Sequence, residues 1–391
     1  MKLGGMFTRE QGEIGKDEVA KNPFLVAGYY TPEYFCGRDA ESATIVDALR
    51  NGRDVTLLAP RRMGKTGLIR DIFYKLQRDK ADVVTIYIDI YSTQNLNDLV
   101  ALLAASILGQ LDSTAQAIMS RVTQFIKSCR PIFTIDSKSG MPIVSLDVEP
   151  HCEQATLKEI FEYLGSSEKR CYIAIDEFQQ IGDYPDKGVE ALLRSYIQFL
   201  PNVNFIFSGS KQHVMQDMFL SSKRPFYQST QLVAIDKIEC DEYFAFAEKF
   251  FKRGGVKLNR ECFDDIYGRF DGHTWYMQTV LNHLYGRGRD VLLEEIEDAI
   301  NSIVEGLSYF YGSLMAAYSS NNVALLKAIA REGEVKALTS SKFIAKHRLG
   351  AASSIKTSLV KLIDRELIYK SESGYRVYDR FMAIWFRNQR F

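Results

Sequence analysis

Val55-Thr56-Leu57-Leu58-Ala59-Pro60-Arg61-Arg62-Met63-Gly64-Lys65-Thr66-Gly67 carries an apolar strand into a loop that ends in Gly-Lys-Thr and opens a helix. Each residue type suits phosphate binding. Backbone N–H groups of such a loop cradle phosphate oxygens, Lys65 would neutralise the β- and γ-phosphates, and the Thr66 hydroxyl would ligate Mg²⁺. A helix from Thr66 to Leu76 would aim its positive N-terminus at the same phosphates. The pattern G-x-x-x-x-G-K-[ST] asks for glycine where this chain has Ala59, which the loop accepts if its φ is negative. A strand-turn-helix with a chance Gly-Lys-Thr is the alternative.

A second stretch bears on that choice. Cys171-Tyr172-Ile173-Ala174-Ile175-Asp176-Glu177 is an apolar strand that ends in two carboxylates, as the other half of an ATP site requires. Asp176 would hold Mg²⁺, and Glu177 would polarise an attacking water. Such strand ends also occur as plain surface turns, but the preceding phosphate-loop pattern favours the site.

The rest of the composition sets limits. A chain of 391 residues with 46% hydrophobic and 25% charged residues reads as an ordinary globular protein of two or three domains. It contains no run of about 18 apolar residues, so no membrane span is expected. Met1 to Lys21 lacks the apolar core of a secretory signal, and the six cysteines show no metal-ligand spacing, so a cytoplasmic protein with reduced thiols is expected. The five histidines are likewise unpaired in any zinc-like way. The net charge of zero hides an asymmetry: from Val323 onward there are 14 Lys and Arg against 6 Asp and Glu, while the first 322 residues carry 35 against 43. A basic C-terminal module leaves nucleic acid open as a partner, with scattered surface lysines as the alternative.

Strand and helix signals alternate from Val55 to about Ile235, which predicts an α/β fold with a parallel sheet covered by helices. Strands are expected at Val55–Leu58, Val83–Ile90, Cys171–Ile175, Val203–Ser208 and Leu232–Ile235, with helices at Leu96–Leu111, Gln154–Leu164 and Gly188–Leu200. Residues 129–150 break the pattern and read as an inserted hairpin around Asp136-Ser137-Lys138-Ser139-Gly140. The core would span 1–236. Residues 237–320 are helical by periodicity, a small lid. Residues 321–391 then show three short helical patterns, two strands separated by Ser-Glu-Ser-Gly, and an aromatic, basic end that docks back as a helix: a winged-helix domain.

In these features the chain resembles the archaeal-type ATPases of the STAND branch of AAA+-related P-loop proteins. The resemblance covers most of the chain. It rests on Asn22-Pro23-Phe24 and Phe35-Cys36-Gly37-Arg38-Asp39-Ala40-Glu41 ahead of the loop, on Pro60-Arg61-Arg62-Met63-Gly64-Lys65-Thr66, on Asp176-Glu177-Phe178-Gln179, and on Phe207-Ser208-Gly209-Ser210. It implies an AAA+/ASCE-type P-loop core that binds ATP or ADP with Mg²⁺ and hydrolyses ATP, coupled to the lid and winged helix as a switch. It also implies that segment 22–54 lies on the adenine side, with Phe35, Gly37 and Arg38 as candidate base-side contacts. A capped helix start with a local salt bridge is their alternative. Ser210 or Ser208 would serve as the polar residue reaching the γ-phosphate.

Two departures from the family pattern affect catalysis. The lid carries Asp271-Gly272-His273-Thr274 where the family has Gly-Gly-x-Pro. Pro225-Phe226-Tyr227-Gln228-Ser229 lacks the family's arginine, leaving Arg224 as the nearest substitute. An arginine there stabilises charge on the transferring phosphoryl group, so slow turnover is expected without one. In the winged helix, Ala351–Ile363 would be the recognition helix, offering Ser353, Ser354, Lys356, Thr357 and Lys361 to DNA, with protein docking as the alternative. A nucleotide-locked scaffold that recruits DNA or a protein without turnover is the rival function, and the oligomeric state is left open.

Overall fold

The structure, a computed structural model, describes residues 20–79, 81–111, 129–135, 142–148, 151–371 and 373–389. The expected hairpin turn at Asp136–Gly140 lies outside them. The strands are β1 (Val55–Leu58), β2 (Val83–Asp89), β3 (Cys129–Ile135), β4 (Pro142–Val148), β5 (Arg170–Asp176), β6 (Val203–Ser208) and β7 (Gln231–Ala234), followed by β8 (Ile368–Lys370) and β9 (Tyr375–Val377). Five of them form one parallel sheet in the order β2-β5-β6-β1-β7. The phosphate-loop strand β1 is therefore separated from the carboxylate strand β5 by β6. β3 and β4 pair antiparallel outside this sheet, from Cys129↔Val148 to Ile135↔Pro142.

The sheet is buried on both faces, which is why its strands read as nearly unbroken apolar runs. β5 shows the sorting. Cys171, Ile173 and Ile175 join one core cluster with Ile86, Ile88, Phe205 and Phe207, under the helices Leu96–Leu111, Glu153–Ser166 and Val189–Ile197. Tyr172 and Ala174 point the other way, into a core with Val55, Leu57 and Ile206 under the helices Asp39–Arg50 and Lys65–Arg78. Five rings, Phe178, Phe205, Phe207, Phe219 and Phe226, pack mutually at centroid distances of 4.6–5.9 Å where the pairs are in contact. The Pro225-Phe226-Tyr227 element is thus anchored by a core phenylalanine.

Most predicted elements hold, with informative exceptions at their ends. β1 and β6 match residue for residue. The helix expected over Gly188–Leu200 is Val189–Ile197, because Gly188 adopts φ 78° outside the helix and Phe199 and Leu200 make only i→i−3 bonds before Pro201.

The chain divides into two compact units. One holds the residues up to Phe246 together with Gly272–Thr279; the other holds Ala247–Asp271 and everything from Val280 onward. Within the second unit, helices Ser320–Glu332, Ser341–His347 and Ala352–Asp364 precede the antiparallel pair β8–β9, and Val335 adds a bridge to Tyr375. Ser319 and Ser340 cap the first two of these helices. The final helix, Arg380–Asn388, is capped by Asp379, whose carboxylate accepts from the Phe381 and Met382 N–H groups, and it buries Phe381, Met382 and Phe386. No helix among the described residues is long and apolar enough to cross a membrane.

Candidate functional site

The loop after β1 is shaped by backbone choices visible in its sequence. Gly64, at φ 92°, caps the helix Lys65–Arg78, and Arg62 is also left-handed at φ 65°. A glycine is needed at 64 because a side chain there would be strained. Ala59 is not among the left-handed residues and is almost fully buried, which explains how alanine replaces the expected glycine. Lys65 is buried and its Nζ donates to the carbonyls of Ala59 (3.2 Å) and Pro60 (3.0 Å). Arg38 braces the loop from outside: Nη1 pairs with Glu41 at 2.8 Å, and Nη2 donates to the Met63 carbonyl at 3.3 Å.

The carboxyl end of β5 faces this loop. Residues 172, 174 and 176 share one face of the strand by its period of two, so Asp176 points toward the start of the helix Lys65–Arg78. Thr66 Oγ1 donates to Asp176 Oδ2 at 2.7 Å, Tyr87 Oη donates to the same oxygen at 2.7 Å, and the Glu177 N–H donates to Oδ1 at 3.0 Å. Burial, reinforced by the adjacent Asp176 charge, pushes the Tyr87 phenol far up, so it stays a proton donor. Glu177 itself sits left-handed at φ 56°, uncommon for a residue with a long side chain. Its Oε2 accepts from Ser210 Oγ at 2.7 Å and from the Gln179 amide. Ser208, the other serine considered, is fully buried in β6 and its hydroxyl has no hydrogen-bond partner.

A cleft of about 410 Å³ opens over these groups, within the first unit. All of the residues expected at the site line it except Pro60, Gly37, Arg224 and the alternative serine Ser208. Pro60 contributes only its carbonyl, to Lys65. Gly37, at φ 66°, packs against Glu242 and Ile238. Arg224 requires a correction: its guanidinium pairs with Glu190 at 2.7 Å and with Asp217 at 3.3 Å, so it is held by its own neighbours and not aimed at the cleft. Phe35 reaches the site by packing its ring on Gly67. Arg38 lines the cleft, yet its guanidinium is committed to Glu41 and Met63, as the local salt-bridge alternative has it.

Sequence reasoning missed Tyr87, Thr274, Trp275 and Gln278. The last three line the cleft from the start of the helix Thr274–Gly286. The Arg62 guanidinium lies 4.1 Å from the Trp275 ring centroid, and His273 Nε2 is 3.1 Å from the Arg61 carbonyl. Their signal was the Asp271-Gly272-His273-Thr274 element, whose His273 meets the loop after β1 at Arg61. A hydroxyl and a carboxylate in contact, both hard oxygen donors, fit Mg²⁺, so Thr66 and Asp176 are the residues that would hold it. A second, larger cleft of about 760 Å³ lies at the amino ends of the strands, beside Arg53, Arg194 and Gln231, and contains none of these groups.

Comparison with known proteins adds the fold's relatives. Residues 309–388 match a family described as a probable winged helix domain. No curated protein matches the sequence. Among solved structures, the chain is similar to the Walker-type ATPase paby2304 of Pyrococcus abyssi, at 19% identity and TM-score 0.64, over 93% of this chain and 99% of that one. It is similar to the Aeropyrum pernix ORC1 protein in complex with DNA at 10% identity and TM-score 0.53, over 93% and 95% of the two chains. The A. pernix ORC2 protein in its ADP form gives 15% identity and TM-score 0.51, over 94% and 97%. The fold, a five-stranded parallel sheet with helices on both faces, is therefore similar to that of the Walker-type ATPase paby2304, and residues 309–388 match the winged-helix family.

Proposed function

We propose that this chain binds ATP or ADP with Mg²⁺ in the cleft and hydrolyses ATP slowly, as a switch. The observation that carries the reading is the 2.7 Å bond from Thr66 to Asp176, which joins the phosphate loop to the strand-end carboxylate across the fold. On nucleotide binding, Lys65 exchanges the carbonyls of Ala59 and Pro60 for phosphate oxygens. Thr66 and Asp176 would hold Mg²⁺, which when bound neutralises charge on the β- and γ-phosphates. Glu177 orients water and takes its proton, with Ser210 and Gln179 fixing the direction of its carboxylate. With Arg224 paired to Glu190 and Asp217, no arginine from that element meets the phosphoryl group, and slow turnover follows.

In this reading residues 1–236 form the nucleotide core, 237–320 the lid and 321–391 the winged helix, whose position follows nucleotide state as a STAND relationship would imply. DNA is the favoured partner of the winged helix. Ser353, Lys356, Thr357 and Lys361 are exposed while Ile355 and Leu362 are buried, so the hydroxyl and lysine face of that helix meets solvent. The similar A. pernix ORC1 was solved in complex with DNA. A second reading, an ADP-locked scaffold, draws support from the same ion pairs of Arg224. Steady-state phosphate release from ATP by the parent and by Glu177→Gln decides between them. Turnover abolished by the substitution supports the ATPase; a parent that holds ADP and releases no phosphate supports the scaffold.

A further inference from the structure

We infer that Tyr87 is a positioning residue, which holds the Asp176 carboxylate in the orientation that receives a divalent cation; this rests on the nucleotide reading above. The placement follows from strand register. Tyr87 on β2 pairs with Ala174 on β5, two residues before Asp176 on the same strand. Diagonal neighbours on one sheet face lie about 7–8 Å apart, within reach of an aromatic side chain. Because residue 174 is an alanine, the tyrosine ring can lie along that face and bring its hydroxyl to Asp176 Oδ2 at 2.7 Å. From the other side the Arg70 guanidinium covers the ring, 3.9 Å from its centroid.

Packing alone does not require the hydroxyl. A phenylalanine would fill the space over Ala174 and accept the Arg70 guanidinium on its face equally well. What the hydroxyl adds is a second donor on the oxygen that Thr66 also addresses. A threonine that turns an oxygen lone pair toward a cation keeps its single proton and can go on donating it to Asp176. Tyr87 is then the second side-chain donor that fills Oδ2 beside Thr66, and it restricts Asp176 to one rotamer, in which Oδ1, held by the Glu177 N–H, is the oxygen left facing a hydrated cation. Partners of this kind behind a metal ligand are typically worth about 10- to 100-fold in metal affinity or activity.

The test is the Mg²⁺ dependence of ATP binding, measured by calorimetry for the parent and for Tyr87→Phe, with excess MgCl₂ and again with EDTA. The expected result is an affinity in EDTA within about twofold of the parent, which also reports an intact fold, and a Mg²⁺-dependent gain about 10-fold smaller than the parent's. An equal Mg²⁺-dependent gain in both proteins, or an equal loss with and without the metal, overturns the inference. A parent that binds no ATP, or binds it with no Mg²⁺-dependent gain, overturns the nucleotide reading and this inference with it.

Discussion

Replacing Gly209 by alanine joins packing to chemistry at one point. Gly209 is buried in the turn after β6, between Ser208 and Ser210. A methyl group there would fall well inside van der Waals contact of Gln179 Oε1 and 2.8 Å from Met215 Sδ. Met215 can yield because its thioether is flexible. Gln179 is buried, and its amide donates to Glu177, so moving it removes a donor from that carboxylate. Overpacking of this kind costs about 1–3 kcal/mol. In a unit of this size that lowers Tm by roughly 2–4 °C for each kcal/mol. Thermal unfolding followed by circular dichroism measures it, with Gln179→Ala as a second background. If the clash with Gln179 is the cause, the alanine at 209 costs less once Gln179 is gone, with a coupling of about 0.5–3 kcal/mol. A Tm indistinguishable from that of the parent, or strict additivity in the double variant, would show that Gln179 does not set the cost.

Two further outcomes follow from other parts of the molecule. Burial raises the Asp54 carboxyl from its ordinary 3.8 to about 6, against hydrogen bonds from the Phe205 N–H and the Asn204 side chain that lower it. The native state therefore holds this proton more tightly than the unfolded chain. The stabilisation from protonated Asp54 is complete below about pH 4 and is lost as pH rises through about 6. Asp54→Asn should then show a smaller fall in Tm than the parent as pH rises from below to above that value, and parallel curves would contradict this. In the winged helix, Lys356→Ala with Lys361→Ala should weaken DNA binding across sequences and reduce the salt slope by about one for each phosphate left without its lysine. An unchanged slope in a filter-binding series would remove these lysines from the interface.

The sheet was legible in the sequence because β1 and β6 are short apolar runs bounded by turn residues, and a strand buried on both faces leaves little freedom in where it begins. The loop after β1 and the Asp176-Glu177 pair, which the structure brings together through Thr66, stood out for a related reason: each is a run of adjacent residues. Tyr87 was hidden because its hydrogen bond depends on the β2–β5 register, in which Ala174 opens a path to Asp176. Trp275 and Gln278 were hidden because the helix Thr274–Gly286 reaches the cleft through a chain reversal that periodicity does not encode. Arg224 misled for the opposite reason. It was the nearest substitute for an arginine that the Pro225 element lacks, but Glu190 and Asp217, on two neighbouring helices, compete for its charge and hold it.

Every step of the functional reading depends on Lys65 and its loop binding the phosphates of a nucleotide in this cleft. Calorimetric titration of Mg²⁺-ATP into the parent and into Lys65→Ala puts that dependence to the test, with Tm recorded for both proteins without nucleotide. Saturable binding by the parent is expected, with a loss of at least about 1.4 kcal/mol, a factor of ten or more, in the variant at an unchanged fold. Equal affinity in the two proteins, or no heat of binding in the parent, would contradict it.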